Sequence, residues 1–252
     1  MRKIVIANNK GGVAKTTSAL NLIGYFAKKG YKVLAIDLDP QGNLTDAFGI
    51  DLENLEKTAY DALKDKDLSE SLLSISENID LLPSNLDVEK ANLDFVSVLG
   101  RESLLKKGLS KIEKNYDICI MDTSPNLSTL TLNALTSADS VYIPLKSGYF
   151  EMRGASVLLE VIENVKEDIN PNLNIGGVFL TQYDSRVNMA SEVIEQLENY
   201  FGDKLINTKI RNNISLVEAP ALMKNIFDYK PNSNGAKDYE ALGDEILKRE
   251  QI

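Results

Sequence analysis

The sequence predicts an α/β protein: a mostly parallel, doubly wound sheet with helices on both faces. Three observations lead there. Strand-like runs alternate with helix-like runs along most of the 252 residues, which is how successive βαβ units read. The strand-like runs, Asp117–Met121 among them, are continuously apolar, as strands covered on both faces are. The first run also passes at once into a glycine-bearing loop and a helix, and in an open parallel sheet ligands gather at the carboxyl ends of the strands.

Taken in order, Lys3–Ala7 is a short apolar, β-branched strand. Ser18–Lys29 has apolar residues at helical spacing, lysines in its last turn and Gly30 as a stop. Lys32–Asp37 and Asn78–Pro83 read as the second and third strands. Glu102–Lys114 reads as a helix ahead of the strand Tyr116–Met121. A helix over Leu127–Ala138 leads to the strand Ser140–Pro144, and a helix over Met152–Glu167 leads to the strand Ile175–Thr181. A helix over Met189–Tyr200 precedes the strand Leu205–Ile210, and Gly235–Ile252 is a last helix of mixed charge. There is no internal repeat, low-complexity segment or linker, so one domain over residues 1–252 is expected, with no N-terminal DNA-binding extension and no secretory signal ahead of the first strand.

Composition removes whole classes of chemistry. There is no histidine and a single cysteine, Cys119. That excludes Ser-His-Asp hydrolysis, histidine bases, an intrachain disulfide and a Cys-x-x-Cys zinc site. Catalysis is left to carboxylates, lysines, hydroxyls and a metal brought by the substrate. No run approaches the ~18 apolar residues of a membrane span. The net charge of −9 argues against binding nucleic acid over the whole surface. The acid is local: residues 51–100 hold twelve acids and four lysines, almost the entire excess. Such a run reads first as solvated surface, and it leaves another face free to be basic.

The chemistry concentrates in Asn8-Asn9-Lys10-Gly11-Gly12-Val13-Ala14-Lys15-Thr16-Thr17. A strand, a glycine-bearing loop and a helix opening on Lys-Thr-Thr is the context of a phosphate-binding loop, against the plain alternative of a Gly-Gly turn before an amphipathic helix. Loop amides and the helix N-terminus converge on one spot and favour an anion. Lys15 adds a point charge for the β- and γ-phosphates, and the Thr16 hydroxyl is placed for Mg²⁺. The general pattern G-x-x-x-x-G-K-[ST] is not met, because Asn9 and Ala14 stand at its glycines. If position 14 needs a left-handed backbone, alanine costs about 1–2 kcal/mol there; if it is helical, alanine costs nothing. The second strand ends in Asp37-Leu38-Asp39-Pro40-Gln41-Gly42-Asn43. Two carboxylates at i and i+2 leave a strand on the same side, where one can hold a metal's water shell and the other can orient an attacking water. Asp122, at the tip of the apolar run Tyr116–Met121, is the Walker B arrangement, which holds Mg²⁺ through a water.

These segments together resemble the ParA/MinD superfamily of deviant Walker A ATPases, and its ParA/Soj branch in particular. The loop is close to that family's K-G-G-V-G-K-T-T, residues 37–43 match its D-x-D-P-Q-G-N, and Asp122-Thr123-Ser124-Pro125 is similar to its D-x-P-P with Ser124 replacing a proline. The resemblance implies a slow ATPase that uses ATP and Mg²⁺. It implies nucleotide contacts from Lys10, Gly11, Gly12, Val13, Ala14, Lys15, Thr16 and Thr17, with metal held at Thr16, Asp37 and Asp122. Asp39 is implied to position the water. Lys10 is implied to reach the partner's nucleotide across a homodimer that sandwiches ATP. Thr181–Asn188 is similar to the family's T-x-x-D-x-R-T-N, which puts Arg186 at a DNA-binding position. Ile210–Pro220 is similar to I-P-R-N-V-R-L-S-E-A-P, which puts Asn213 near the adenine; Arg211, expected to bind nucleotide with it, stands where the family has proline. Ser215 stands where a second DNA-binding arginine is usual, a loss that Lys209, Arg211, Lys224 or Lys230 could offset.

The same resemblance implies a partition ATPase that binds DNA without sequence preference, is released by hydrolysis under a ParB-type partner, and sits in the cytoplasm on the nucleoid. The last helix is not lysine-rich with a broad apolar face, so no stable membrane association is expected. The alternative is a nucleotide-gated positioning ATPase that acts on a protein or membrane cargo without touching DNA. A ligase or kinase of the same fold is a further rival.

Overall fold

In each central strand, successive apolar side chains pass alternately to two covered faces. Ile4 and Ile6, Val33 and Ala35, and Ile118 and Ile120 enter one buried layer, while Val5, Leu34 and Ile36, and Cys119 and Met121 enter the other. The computed structural model describes residues 1–146, 151–184 and 190–252. Its strands are β1 (Arg2–Ile6), β2 (Val33–Leu38), β3 (Leu73–Ser76), β4 (Ile79–Leu82), β5 (Ile118–Thr123), β6 (Ser140–Lys146), β7 (Asn174–Tyr183) and β8 (Leu205–Arg211). They form one sheet in the order β3-β4-β2-β5-β1-β6-β7-β8. Every pairing is parallel except that of β3 with β4. The doubly wound α/β architecture expected from the sequence is therefore present.

The first layer is closed by α1 (Lys15–Lys28), α10 (Ile226–Tyr229) and α11 (Asn234–Glu250). The second is closed by α3 (Ala59–Asp65), α5 (Leu104–Leu109), α6 (Thr129–Ser137), α7 (Glu151–Asp168) and α8 (Ala190–Phe201). The remaining helices are short: α2 (Asn43–Ala47), α4 (Ala91–Asp94) and α9 (Ser215–Ala221). The far end of α11 is tied down by Glu250, a buried carboxylate that accepts from Arg2, from Ser140 Oγ at 2.9 Å and from Tyr142 OH at 2.7 Å. A buried charge held by three donors fixes α11 against β1 and β6.

Register then positions the site. Asp122 pairs with Ile6 on one side and with Asp37 on the other. The two carboxylates thus leave neighbouring strands at the same level, beside the loop that follows β1.

Some boundaries differ from the sequence reading. Asp122 lies inside β5, which runs to Thr123, instead of just past a strand ending at Met121. The expected helix over residues 102–114 reduces to α5 between 3₁₀ turns at Arg101–Ser103 and Glu113–Asn115. Gly108 lowers helix propensity there and is kept by packing, because a Cβ would stand 2.3 Å from Leu68 Cδ1. The antiparallel edge strand β3 escapes a sequence reading because its alternation of half-buried Leu73 and Ile75 with exposed Ser74 and Ser76 spans only four residues. Arg186, expected to touch DNA, lies outside the described residues.

Candidate functional site

The loop after β1 is shaped by two consecutive demands on its backbone. Gly12 has φ +72°, and Ala14, the residue before α1, has φ 65° and ψ 36°. Of the two conformations open to position 14, the left-handed one is the one adopted. Alanine costs about 1–2 kcal/mol there relative to an unstrained conformation, and such strain persists where the surroundings over-determine it. Ala14→Gly is expected to stabilise the protein by roughly 1 kcal/mol once the extra chain entropy of glycine is subtracted. Urea denaturation measures this, and a lowered midpoint would remove strain as the explanation.

α1 has no side-chain cap. The amides of its first turn are therefore open donors, which with the helix dipole make an anion site. Lys15 points back over the loop and donates from Nζ to the Lys10 carbonyl at 2.9 Å. Burial pushes its pKa below the usual lysine range, opposed by the charges of Asp122 and Asp39. Lys10 N in turn donates to Asn8 Oδ1 at 3.0 Å, and Asn8 Nδ2 donates to the Pro144 carbonyl at 2.7 Å. From the other end of the loop, Thr181 Oγ1 lies 3.1 Å from the Val13 carbonyl, and Gln182 Nε2 donates to the Gly12 carbonyl at 2.9 Å.

The three aspartates differ sharply. Asp37 is fully buried and well satisfied: it accepts from Thr45 N at 2.9 Å, Thr45 Oγ1 at 2.7 Å and Asp39 N at 3.1 Å. Burial raises its pKa to about 6, with the Thr45 and Asp39 donors pulling the other way. Asp39 accepts from Gln41 N at 3.0 Å, and its carbonyl accepts from Ser84 Oγ at 2.7 Å. Ser84 N donates to Thr45 Oγ1 at 2.9 Å, so Thr45 and Ser84 brace both aspartates. The bend at Gly42 (φ +64°) fits only glycine, since a Cβ there would meet Ser84 O at 2.8 Å. Asp122 is fully buried, and neither of its carboxylate oxygens has a hydrogen-bond partner. Burial and the nearby Asp37 charge hold its pKa well above the usual carboxylate range, with the adjacent Thr16 hydroxyl and Lys15 only partly offsetting them.

A buried carboxylate without a donor, next to a hydroxyl, supplies the oxygen ligands a hard divalent cation takes. The residues present thus fit Mg²⁺ at Thr16 and Asp122. Asp37, with two donors on Oδ2 and one on Oδ1, keeps a lone pair on Oδ1 and is suited to a bracing role or to a metal-bound water. A cavity of ≈ 300 Å³ opens beside Thr16 and Thr17 and is closed by Asn43, Asp46, Pro220 and Ala221. Taken together, the site offers amide donors and one lysine for a phosphate tail, a cation position, and Asp39 at the rim.

A family model described as an AAA domain matches residues 1–175. The sporulation initiation inhibitor protein Soj of Bacillus subtilis is 41% identical over 96% of this chain and 97% of its own. The chromosome-partitioning ATPase Soj of Treponema pallidum is 41% identical over 99% of this chain and 98% of its own. The chain belongs to the Soj/ParA family of partition ATPases. Among solved structures, cobyrinic acid a,c-diamide synthase from Mycobacterium smegmatis with bound ADP and magnesium superposes with a TM-score of 0.87 at 32% identity, covering 99% of this chain and 95% of that one.

Within this Soj/ParA chain, two residues expected near the nucleotide already have protein partners. Asn213 is half-buried and closes a turn just ahead of α9, with Oδ1 accepting from Ser215 N at 2.9 Å. Arg211 is engaged elsewhere: its backbone N donates to Asp238 Oδ2 at 2.9 Å, and its guanidinium grips the same carboxylate at 2.6–3.2 Å. Asp238, twenty-seven residues away on α11, could not be paired with it by sequence spacing. Ser215 is only 2% exposed, so the position where the family has arginine faces inward. Sequence reasoning also missed Thr45 and Ser84 as site residues, and it read Thr181 and Gln182 only as part of the segment leading to Arg186. Nothing in their spacing marks Thr45 or Ser84 as braces of the aspartates.

Proposed function

We propose that this chain is a DNA-partition ATPase whose ATP-bound homodimer holds DNA without sequence preference and lets go after hydrolysis. The chain is an ATPase that uses ATP and Mg²⁺. The observation that carries the site reading is the buried, unpartnered carboxylate of Asp122 beside Lys15 and the strained loop. Gly11, Gly12, Val13, Ala14, Lys15, Thr16 and Thr17 wrap the phosphates through main-chain amides, with Lys15 exchanging the Lys10 carbonyl for a phosphate oxygen. Thr16 and Asp122 would hold Mg²⁺, whose charge supports the leaving phosphate. Asp39 orients the attacking water. Asn213 borders the base, and Arg211 keeps the end of β8 in place through Asp238.

Lys10 serves the partner's nucleotide in the dimer, and the exposure of Gly11 and Gly12 leaves room for a second backbone to come close. Partition rather than ligation is favoured because the 41% identical relatives carry partition names, whereas the synthase stands at 32%. A ParB-type partner would speed a slow basal turnover. The protein would work in the cytoplasm on the nucleoid; no described helix is long and apolar enough to cross a membrane.

The deciding experiment titrates random-sequence DNA with ATP, ADP and no nucleotide at two salt concentrations. Binding that needs ATP and weakens steeply with salt is the expected result. DNA binding that ignores nucleotide, or none in any state, would sink the DNA half of the reading. No binding in any state would favour the nucleotide-gated positioning ATPase, a reading to which the buried Ser215 lends weight.

A further inference from the structure

We infer that Gln182, with Thr181 behind it, is a positioning residue that sets the amide cradle for the nucleotide phosphates. The inference rests on the nucleotide reading above and deepens it. In a trans peptide the N–H of one residue points opposite to the C=O of the residue before it, and no cis peptide is present among the described residues. Fixing a carbonyl therefore fixes the next amide. Gln182 Nε2 holds the Gly12 carbonyl at 2.9 Å, which turns the Val13 amide the other way. Thr181 Oγ1, at 3.1 Å from the Val13 carbonyl and 3.2 Å from that of Leu145, does the same for Ala14.

The sheet order gives the direction. β7 lies on one flank of β1, beyond β6, and β5 and β2 lie on the other. Carbonyls drawn toward β7 leave their amides facing the side that carries Asp122 and Asp39. The anchor is built at some cost. Gln182 is itself held at φ 51°, a left-handed conformation that a residue with a side chain rarely adopts. Conformations of that kind persist where neighbouring contacts over-determine them. Thr181 is fully buried, so its hydroxyl is committed to these carbonyls. Gln182 is also two residues before Asp184, in the segment that continues toward Arg186. The residue that sets the loop thus belongs to the stretch assigned to DNA.

Two variants test this in the full chain, with calorimetric titration of ADP and steady-state ATP turnover as readouts. Gln182→Met keeps the length and removes the donor. Gln182→Glu keeps the shape and sets a carboxylate against the Gly12 carbonyl. One lost hydrogen bond corresponds to about a 2–10-fold weaker ADP affinity for Met, with a larger loss for Glu. KM for ATP should rise in parallel while kcat stays within about twofold, the mark of lost binding common to ground and transition states. ADP affinities equal to wild type in both variants, or a fall in kcat at constant KM, would overturn the inference while leaving the nucleotide reading intact. A wild-type chain that takes up no ADP would overturn that reading itself, and this one with it.

Discussion

Asp122→Asn is expected to make the ligand-free protein more stable at neutral pH and to lower its ATP turnover by about 10–100-fold, the usual cost of losing a group that orients a metal through its shell. Asp122 is fully buried and neither of its oxygens is hydrogen-bonded. A buried unsatisfied polar group costs about 1–3 kcal/mol, and a charged one more. An amide of the same shape carries no charge, so the variant avoids most of that cost. The pH dependence has a definite sign. The folded-state pKa of Asp122 is raised by burial and by Asp37, partly opposed by Thr16 and Lys15, while Asp39 raises it further.

A raised acid contributes stability below its unfolded pKa and loses it as pH rises through the folded one. For the neighbouring Asp37 that loss runs from the ordinary carboxylate range up to about pH 6. The advantage of Asp122→Asn should therefore be largest above neutrality and shrink toward the acid range, where both forms are uncharged. Mg·ATP should raise the melting temperature of wild type far more than that of the variant. Thermal melts at one acidic and one mildly alkaline pH, with and without Mg·ATP, read all of this. A variant less stable than wild type at the alkaline pH without ligand would show that the carboxylate is compensated in the apo state.

Much of the site is legible in the sequence alone, and the division between what is legible and what is not has a physical cause. The loop, both switch aspartates and Asp122 are readable because their chemistry depends on local order: a strand end, two glycines, a Lys-Thr-Thr helix start. The sheet is readable because Ile4–Ala7, Val33–Ile36 and Ile118–Met121 are apolar without a break, which only a two-sided cover explains. Position 14 is undecided in the sequence, because alanine is compatible with a helix start and only the finished loop imposes φ 65°. Braces between distant segments are invisible there: Asp238 to Arg211, Ser84 to Asp39, Gln182 to Gly12. Each joins a side chain to a group far away in the chain, and no periodicity records such a meeting. Residues 59–76 yield no element in the sequence for another reason. The short pieces α3 and β3 give too few residues for either period to emerge.

For Asp39→Ala the expectation is a fall in kcat on the order of 10²-fold, at the low end for general-base loss because a carboxylate is a weak base, with little change in KM or stability. The argument is one of commitments. Asp37 takes three donors from Thr45 and from the Asp39 backbone, so its removal would strand buried N–H and O–H groups and cost folding energy. Asp39 is mostly buried but its carboxylate is committed to one backbone donor, Gln41 N at 3.0 Å. The backbone of Asp39 is held independently of its side chain, by Ser84 Oγ on its carbonyl and Asp37 Oδ1 on its amide. Truncation to alanine therefore keeps the bend and loses, besides the Gln41 N contact, the free lone pairs that could turn a water toward a phosphate. Nucleotide affinity should survive, since the amides, Lys15 and Thr16 are untouched. Turnover at wild-type rate with Asp39→Ala would reject its role. A loss of ADP affinity matching the loss of turnover would instead make it a binding residue, and the water would then have to be held by another group of the switch segment.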